Sequence, residues 1–355
     1  MDIHAWIGDY AARAYEARDL ERYQLVALTS EALPQVSKDP DRALELLEKG
    51  RALAEMLNEP WFARFYEHWM IQALLFHKRD PNTALPLAEA AVRGTQSADF
   101  ADFPQRICLR EDLIFSYLSR DPFGYCTEIE AAISYMATEI PPDCPCLNCL
   151  QEIRTAYPLA LERLDDAEQA ALDAVSLGWP ASDYHHVLIA FTALAQIAYR
   201  RSDWTKVAHW AGLGETFEGR NVGVPYVHEL LLWGAAAMRQ RGETKPARRQ
   251  YRRVRGLIRA GSSIATSGCF DALLAYHQLE ADPRPALAVC SLELEQLAGR
   301  GEIVRECLVR LRRRGLLMRR GLPVAEEEGV IRNLAALLRD PAPILAQLTS
   351  EAAGV

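Results

Sequence analysis

The 355-residue sequence predicts an all-α protein built from about eight antiparallel helix pairs. Apolar residues recur at helical spacing along nearly the whole chain, as in Ala43, Leu44, Leu47, Leu53 and Leu57. The alternation of apolar and polar residues that is typical of a half-buried strand is absent from the sequence. An acidic residue also returns about every 40 residues, a period that favours an α-solenoid of stacked helical repeats.

The repeating signal is an acidic residue followed, four positions later, by a small or apolar residue. The acids are Asp39, Asp80, Asp121, Asp166, Asp203, Glu243 and Asp282, at intervals of 41, 41, 45, 37, 40 and 39 residues. An Asp can accept hydrogen bonds from the unpaired N–H groups of a first helical turn, and a Pro placed next has no hydrogen bond to lose there. Each acid is therefore expected to open the second helix of a pair.

The helix boundaries follow from this period and from the Gly, Pro and Ser breaks between pairs. First helices are expected at about 19–37, 60–79, 104–119, 144–163, 182–201, 224–241, 263–281 and 302–320. Second helices are expected at about 39–57, 81–97, 121–138, 166–177, 203–217, 243–260, 283–299 and 323–339. Flanking helices are expected at 2–17 and 341–352, so that residues 1–18 and 341–355 cap one continuous array over residues 19–340.

One segment resembles the tetratricopeptide repeat family. It contains Trp233-Gly234-Ala235, Met238, Gly242-Glu243, Ala247, Tyr251 and Val254, close to that family's series of Leu-Gly, Gly-Asp, Ala, aromatic and small residues. The chain departs from the family in its period, about 40 residues against 34, and in lacking a Gly before several of the acids. The resemblance implies a right-handed α-solenoid of degenerate repeats. It also implies a concave groove, lined mostly by first helices, that binds a peptide or a partner domain.

Composition bears on the compartment and on the class of protein. The longest apolar run, near Val187 to Ala198, is shorter than the roughly 20 residues of a membrane span, and the N-terminal residues lack the apolar core of a signal peptide. A soluble, cytoplasmic protein with no membrane partner is therefore expected. Only five of the 40 basic residues are Lys, which favours a bacterial protein from a GC-rich genome. The sequence motifs of serine hydrolases, zinc peptidases and phosphate-binding loops are absent, so no enzyme is predicted.

The cysteines form the most distinctive cluster. Cys144, Cys146 and Cys149 begin the fourth first helix, and Cys108, near the start of the third, is expected to lie beside them. These four thiols are the candidate zinc ligands, because tetrahedral zinc takes four, and His185 and His186 are expected to approach them from the other side. Two alternatives stay open: reduced thiols that pack as small apolar side chains, and a redox-active thiol at a helix N-terminus.

Charge and aromatic residues indicate where a partner would bind. Residues 241–320 hold 17 Arg or Lys against 8 acids, a net charge of +9, whereas the whole chain carries −8. The residues predicted to contact a partner are Trp61, Phe65, Trp69, Tyr184, His185, Tyr226, His228, Arg248 and Arg252.

The sequence thus predicts a protein–protein interaction scaffold or regulatory adaptor that binds a partner peptide or domain. One alternative is a metal- or redox-sensing regulator that uses the cysteine cluster. The other is a nucleic-acid-binding repeat protein that uses basic residues within 245–259 and 310–320. Nucleic acid is the less favoured partner, because the chain is acidic overall and has no nucleic-acid-binding motif.

Overall fold

The structure is a computed structural model, and it describes residues 3–103, 105–141, 144, 146–220, 222–259 and 266–350, without the side chains of residues 4, 257–259 and 350. These residues form eighteen α-helices and no strand, so the all-α prediction is confirmed. The helices are α1 (Ile3–Glu16), α2 (Leu20–Ala32), α3 (Pro40–Met56), α4 (Pro60–Gln72), α5 (Pro81–Gly94), α6 (Arg106–Arg120), α7 (Cys126–Glu139), α8 (Cys146–Ala160), α9 (Leu164–Gly178), α10 (Tyr184–Arg200), α11 (Trp204–Glu215), α12 (Val224–Gln240), α13 (Thr244–Arg259), α14 (Ser267–His277), α15 (Arg284–Leu297), α16 (Ile303–Met318), α17 (Ala325–Ala335) and α18 (Ala342–Ser350). Short segments, 3₁₀ at Leu33–Gln35 and Ala98–Phe100 and a π turn at Ala73–His77, supplement them.

Three of the predicted acidic caps are confirmed. Asp39, Asp80 and Asp203 each accept a hydrogen bond from the backbone N–H three residues further on, at 3.1, 3.1 and 3.0 Å. Two first helices, α2 and α10, begin in the same way at Asp19 and Asp183. A carboxylate at this position satisfies N–H groups that have no partner inside the helix, and it meets the positive end of the helix dipole.

The prediction is wrong at two of the acids. The backbone N–H of Asp121 donates to the Tyr117 carbonyl at 2.8 Å, so Asp121 ends α6 and does not begin a helix. Residues 122–125 form a turn, and the next helix begins at Cys126. Asp166 lies inside the first turn of α9, because that helix begins two residues earlier, at Leu164. Its charge there complements the helix dipole without capping the helix.

The chain divides into two compact units. Unit 1 comprises Met1–Asp121, Tyr125–Pro142 and Gly299–Glu302, and unit 2 comprises Pro122–Gly124, Asp143–Ala298 and Ile303–Val355. Within each unit, most helices that follow one another in the chain pack together, and in unit 2 the first helices α8, α10, α12 and α14 also pack in succession. One continuous array over 19–340, its right-handed sense and its period of about 40 residues stay predictions.

The core of unit 2 centres on α10 and α12, which position the cavity described below. Both helices bury residues around most of their circumference, including Phe191 and Trp233, each 1% exposed. Small side chains at Ala235, Ala236 and Ala237 are fully buried, as is usual where neighbouring helices approach closely. Among the described residues, no helix combines the length and the apolar character that a membrane crossing requires.

Candidate functional site

A cavity of about 390 Å³ opens among four first helices of unit 2, and we call it the α10–α16 cavity. Its volume lies in the range of sites that hold small ligands or a few side chains of a peptide, about 300–1,000 Å³. It is lined by Gln196, Tyr199 and Arg200 of α10, Trp233 of α12, Asp271, Leu274 and Gln278 at α14, Ala286 of α15, and Arg312, Gly315, Leu316 and Arg319 at α16.

Aromatic rings form one wall of the cavity. The Trp233 and Tyr199 rings lie with their centroids 4.8 Å apart, and the Tyr199 hydroxyl donates to Gln278 Oε1 at 3.2 Å. Trp233 Nε1 donates to Glu229 Oε1 at 3.3 Å. The polar contacts at both rings hold them in fixed orientations, so the wall is preorganised for a ligand.

Glu229 anchors this wall from inside the core. The carboxylate is 2% exposed and also accepts hydrogen bonds from Thr266 Oγ1 at 2.6 Å and Gln196 Nε2 at 2.9 Å. Burial raises the pKa of Glu229, although the three hydrogen bonds oppose the rise. Gly268 lies against this carboxylate, and any added Cβ there would overlap it.

Guanidinium groups outnumber carboxylates around the cavity. Arg312 pairs with Asp271, and Arg200 pairs with Glu162 at 3.0 Å. Burial alone would raise the pKa of Asp271, but the Arg305 and Arg312 guanidinium groups outweigh it and hold that pKa well below its usual range.

Arg319 is exposed, and its guanidinium group makes no hydrogen bond or ion pair with any residue that the structure describes. In all, the lining presents three guanidinium groups and one ionised carboxylate, those of Arg200, Arg312, Arg319 and Asp271. This balance of charge suits an anionic ligand.

The residues predicted to contact a partner lie elsewhere. Phe65 and His228 are buried, at 1% and 6% exposure, and Trp69 is half-buried. Trp61 is half-buried, donates its indole N–H to the Asp99 carbonyl at 2.9 Å, and lines a second cavity of about 560 Å³ in unit 1.

The remaining predicted contact residues belong to unit 2. Tyr184 packs against Trp179 and Phe217, and the exposed His185 contacts the ring of Tyr226. Arg248 and Arg252 are exposed on α13. Partner binding by these residues stays a prediction.

Sequence reasoning placed a binding surface on the first helices but missed the residues that line this cavity. In unit 2 it singled out aromatic and His residues at the starts of first helices and two arginines on α13, whereas Tyr199, Gln278 and Arg319 lie at or just beyond the C-terminal ends of first helices. The signal that could have found them is the recurrence of polar or aromatic residues at the ends of α10, α14 and α16. Trp233 was read only as part of the repeat pattern.

Most arginines of the basic cluster in 310–320 have acidic partners. Arg310 pairs with Glu306 and Glu327, both through contacts of 2.8–3.0 Å. Arg313 also pairs with Glu327, and Arg314 with Glu328. These pairs leave less positive charge for phosphate groups than the sequence indicated.

The four candidate zinc ligands are all half-buried thiols. Cys108 belongs to unit 1, and Cys144, Cys146 and Cys149 belong to unit 2. In the part of the chain that the structure describes, no group of three or more His, Cys, Asp or Glu residues is arranged to hold a metal ion. Zinc binding by these cysteines stays a prediction, and Asp143, their expected helix cap, lies outside the described residues.

No protein-family model matches the chain, and no curated protein matches it. The fold and the cavity by themselves define the class of protein: an all-α protein of successively packed helices, with a cavity lined by arginines and aromatic rings. The resemblance to the tetratricopeptide repeat family stays a prediction.

Proposed function

We propose that the protein is a protein-interaction scaffold or adaptor, and that its α10–α16 cavity binds an extended acidic segment of a partner protein. The observation that carries this proposal is the surplus of guanidinium groups beside an aromatic wall, with Arg319 lacking an acidic partner among the described residues. Arg pairs well with carboxylates because its planar fork can donate two parallel hydrogen bonds.

The two parts of the cavity would have different roles. Arg319 and Arg312 would pair with the carboxylates of the bound segment, while the half-buried Tyr199, supported from behind by the buried Trp233, would contact an apolar side chain next to them. Aromatic and Arg residues supply most of the binding energy at many protein interfaces, and fixed rings lose little entropy on binding. The resemblance to the tetratricopeptide repeat family, which implies a groove lined by first helices, supports a peptide over a nucleic acid. The acidic partners of Arg310, Arg313 and Arg314 support the same choice, because they leave less positive charge for phosphate groups.

The test uses peptides of defined sequence. Peptides would be selected on the intact protein from a random library displayed on phage, and the best of them would be labelled and titrated by fluorescence anisotropy. We expect the selected peptides to carry acidic residues and to bind Arg319→Gln about tenfold more weakly than the wild type, because a charge-assisted hydrogen bond is lost. Raising the salt concentration should weaken wild-type binding as well.

Arg320→Gln is the matched control. Arg320 is the adjacent exposed arginine but does not line the cavity, so its loss should change the affinity less than about twofold. Selection of peptides without acidic residues, or equal losses for the two variants, would contradict the proposal.

A further inference from the structure

At the N-terminal turns of α8 and α10, within unit 2, a thiol lies next to an imidazole, and the imidazole contacts a carboxylate. Cys149 Sγ lies 4.0 Å from His186 Nε2, and His186 Nδ1 lies 2.8 Å from Asp183 Oδ2. All three residues are half-buried. The sequence led us to expect both His185 and His186 beside the cysteines, and the observed contact with Cys149 is made by His186. A nucleophile that reaches a base, with the base oriented by a third group, is the arrangement that activates thiols and hydroxyls in proteins.

The orientation of His186 is fixed by Asp183. This carboxylate caps α10 and also accepts a hydrogen bond from Asn148 Nδ2 at 2.6 Å. It thereby assigns the ring proton to Nδ1, which leaves the lone pair of Nε2 facing the Cys149 thiol. Asn148 precedes Cys149 in the chain and is 8% exposed, and its buried amide oxygen has no hydrogen-bond partner among the described residues, so this acceptor is available to a donor group.

Other titratable groups face the same imidazole. Glu152 Oε2 lies 3.7 Å from His186 Nε2, and burial raises the pKa of Glu152 to about 6. The ring of His185 lies 5.4 Å from that of His186, and Tyr226 lies on the far side of His185, with ring centroids 5.5 Å apart.

A second thiol stands one helical turn before Cys149. Cys146 begins α8, so the two form a Cys-x-x-Cys pair at a helix N-terminus, where the helix dipole favours thiolates. Residues three apart on a helix have Cβ atoms about 5–6 Å apart. A small shift in this first turn would bring them to the roughly 3.5–4.5 Å that a disulfide requires.

We propose that Cys149 is a reactive thiol that reduces hydroperoxides and that Cys146 completes the reaction. His186 Nε2 takes the Cys149 proton, and the thiolate attacks one oxygen of the peroxide. The O–O bond breaks, the leaving oxygen takes the proton from His186 and departs as water when the peroxide is H₂O₂, and Cys149 becomes a sulfenic acid. The Cys146 thiol then attacks that sulfur, the S–O bond breaks, and a disulfide and a second water form. The two thiols supply the two electrons that reduce the peroxide.

The first test measures the rate at which iodoacetamide alkylates each cysteine of the intact protein between pH 6.5 and 9.5, by mass spectrometry of the peptides obtained after quenching and digestion. Cys126 is the internal reference, because it is a half-buried cysteine that also begins a helix. At pH 6.5 Cys149 should react at least about tenfold faster than Cys126, and the ratio of the two rates should fall as the pH is raised to 9.5. Equal rates at pH 6.5 would overturn the proposal.

Variants then separate the role of His186 from a merely structural one. His186→Gln should slow Cys149 at least about fivefold at pH 6.5 but leave its rate at pH 9.5 unchanged, whereas His185→Gln, the matched control, should change neither rate. Asp183→Asn keeps an efficient helix cap and should reduce the rate at pH 6.5 by a smaller factor. A wild-type rate profile in His186→Gln would show that His186 does not activate the thiol.

The second test adds hydrogen peroxide to the reduced protein. The wild type should form the Cys146–Cys149 disulfide, and Cys146→Ser should stop at a Cys149 sulfenic acid that dimedone traps. If Cys149 in the wild type is not oxidised before Cys126, the peroxide reaction is refuted. If Cys146→Ser still forms an intramolecular disulfide at Cys149, the assignment of Cys146 is refuted.

Discussion

Replacing Arg305 by Gln is expected to lower the free energy of unfolding by about 3–5 kcal/mol. Arg305 donates to both oxygens of Asp271 at 3.0 and 3.1 Å, and its Nε donates to Glu293 Oε1 at 2.7 Å. The Glu293 side chain is fully buried, and those of Arg305 and Asp271 are only 15% and 13% exposed. Without the guanidinium, the fully buried Glu293 carboxylate would lose a cation that water cannot replace, and Asp271 would retain Arg312 but lose its two hydrogen bonds from Arg305.

Urea unfolding followed by circular dichroism measures this effect. Arg284→Gln is the matched control, because Arg284 also pairs with an Asp, Asp282, but on the surface, where its side chain is 75% exposed. An exposed pair contributes about 0–1 kcal/mol, so the control should stay close to the wild type. Similar losses in the two variants would mean that burial of the Arg305 pairs has little effect on stability.

The ion pairs of Arg305 also predict how the loss of stability in Arg305→Gln depends on pH. Since the pKa of Asp271 is lowered in the folded protein, its contribution to stability is present above the ordinary Asp pKa of about 3.9. That contribution is lost as the pH falls through the lower pKa of the folded state. The stability advantage of the wild type over Arg305→Gln should therefore be largest near pH 7 and shrink as the pH falls towards the lowered pKa of Asp271, as urea titrations at each pH would show.

Gly50→Ala is expected to lower the free energy of unfolding by about 3 kcal/mol, at the upper end of the usual effect of overpacking. Gly50 of α3 faces the ring of Tyr66 on α4, and an added Cβ would overlap that ring. Tyr66 cannot move aside easily, because it is fully buried and its hydroxyl is tied to the Leu25 carbonyl and, at 3.1 Å, to Thr29 Oγ1. The helices would have to separate, which would open gaps elsewhere in the core of unit 1.

Gly8→Ala provides the control in the same unit. Gly8 lies within α1, is exposed, and has no atom within 4 Å of an added Cβ. Replacing Gly by Ala inside an exposed helix should raise stability by about 0.5–1 kcal/mol. The same substitution is thus expected to act in opposite directions at the two sites, and thermal or urea unfolding that gave one sign for both would contradict the packing described for Tyr66.

Local sequence signals predicted most of the helices. Asp39, Asp80 and Asp203 cap helices because capping depends on a few adjacent residues, which a sequence shows directly. Asp121 misled the prediction because its backbone completes the preceding helix, so the turn that follows delays the next one to Cys126. Whether an acid ends one helix or begins another depends on packing as well as on local propensity.

The candidate sites were harder to predict because they depend on contacts between distant residues. Arg319 and Tyr199 line one cavity although 120 positions separate them, and no local pattern marks that pairing. Cys149 and His186 were both noted in the sequence, but the alignment of Asp183, His186 and Cys149 depends on how α8 packs beside α10. The sequence also could not show that acidic residues neutralise much of the 310–320 cluster.

A charge-reversal experiment tests the proposed function most directly. The best acidic peptide selected on the wild type, and a version whose acidic residues are changed to Lys, would each be titrated against the wild type, Arg319→Glu and Arg320→Glu. The account predicts that Arg319→Glu binds the acidic peptide at least about tenfold more weakly, that it binds the Lys version more tightly than the wild type does, and that Arg320→Glu shows neither change. Unchanged binding of the acidic peptide to Arg319→Glu would show that the α10–α16 cavity is not where the partner binds.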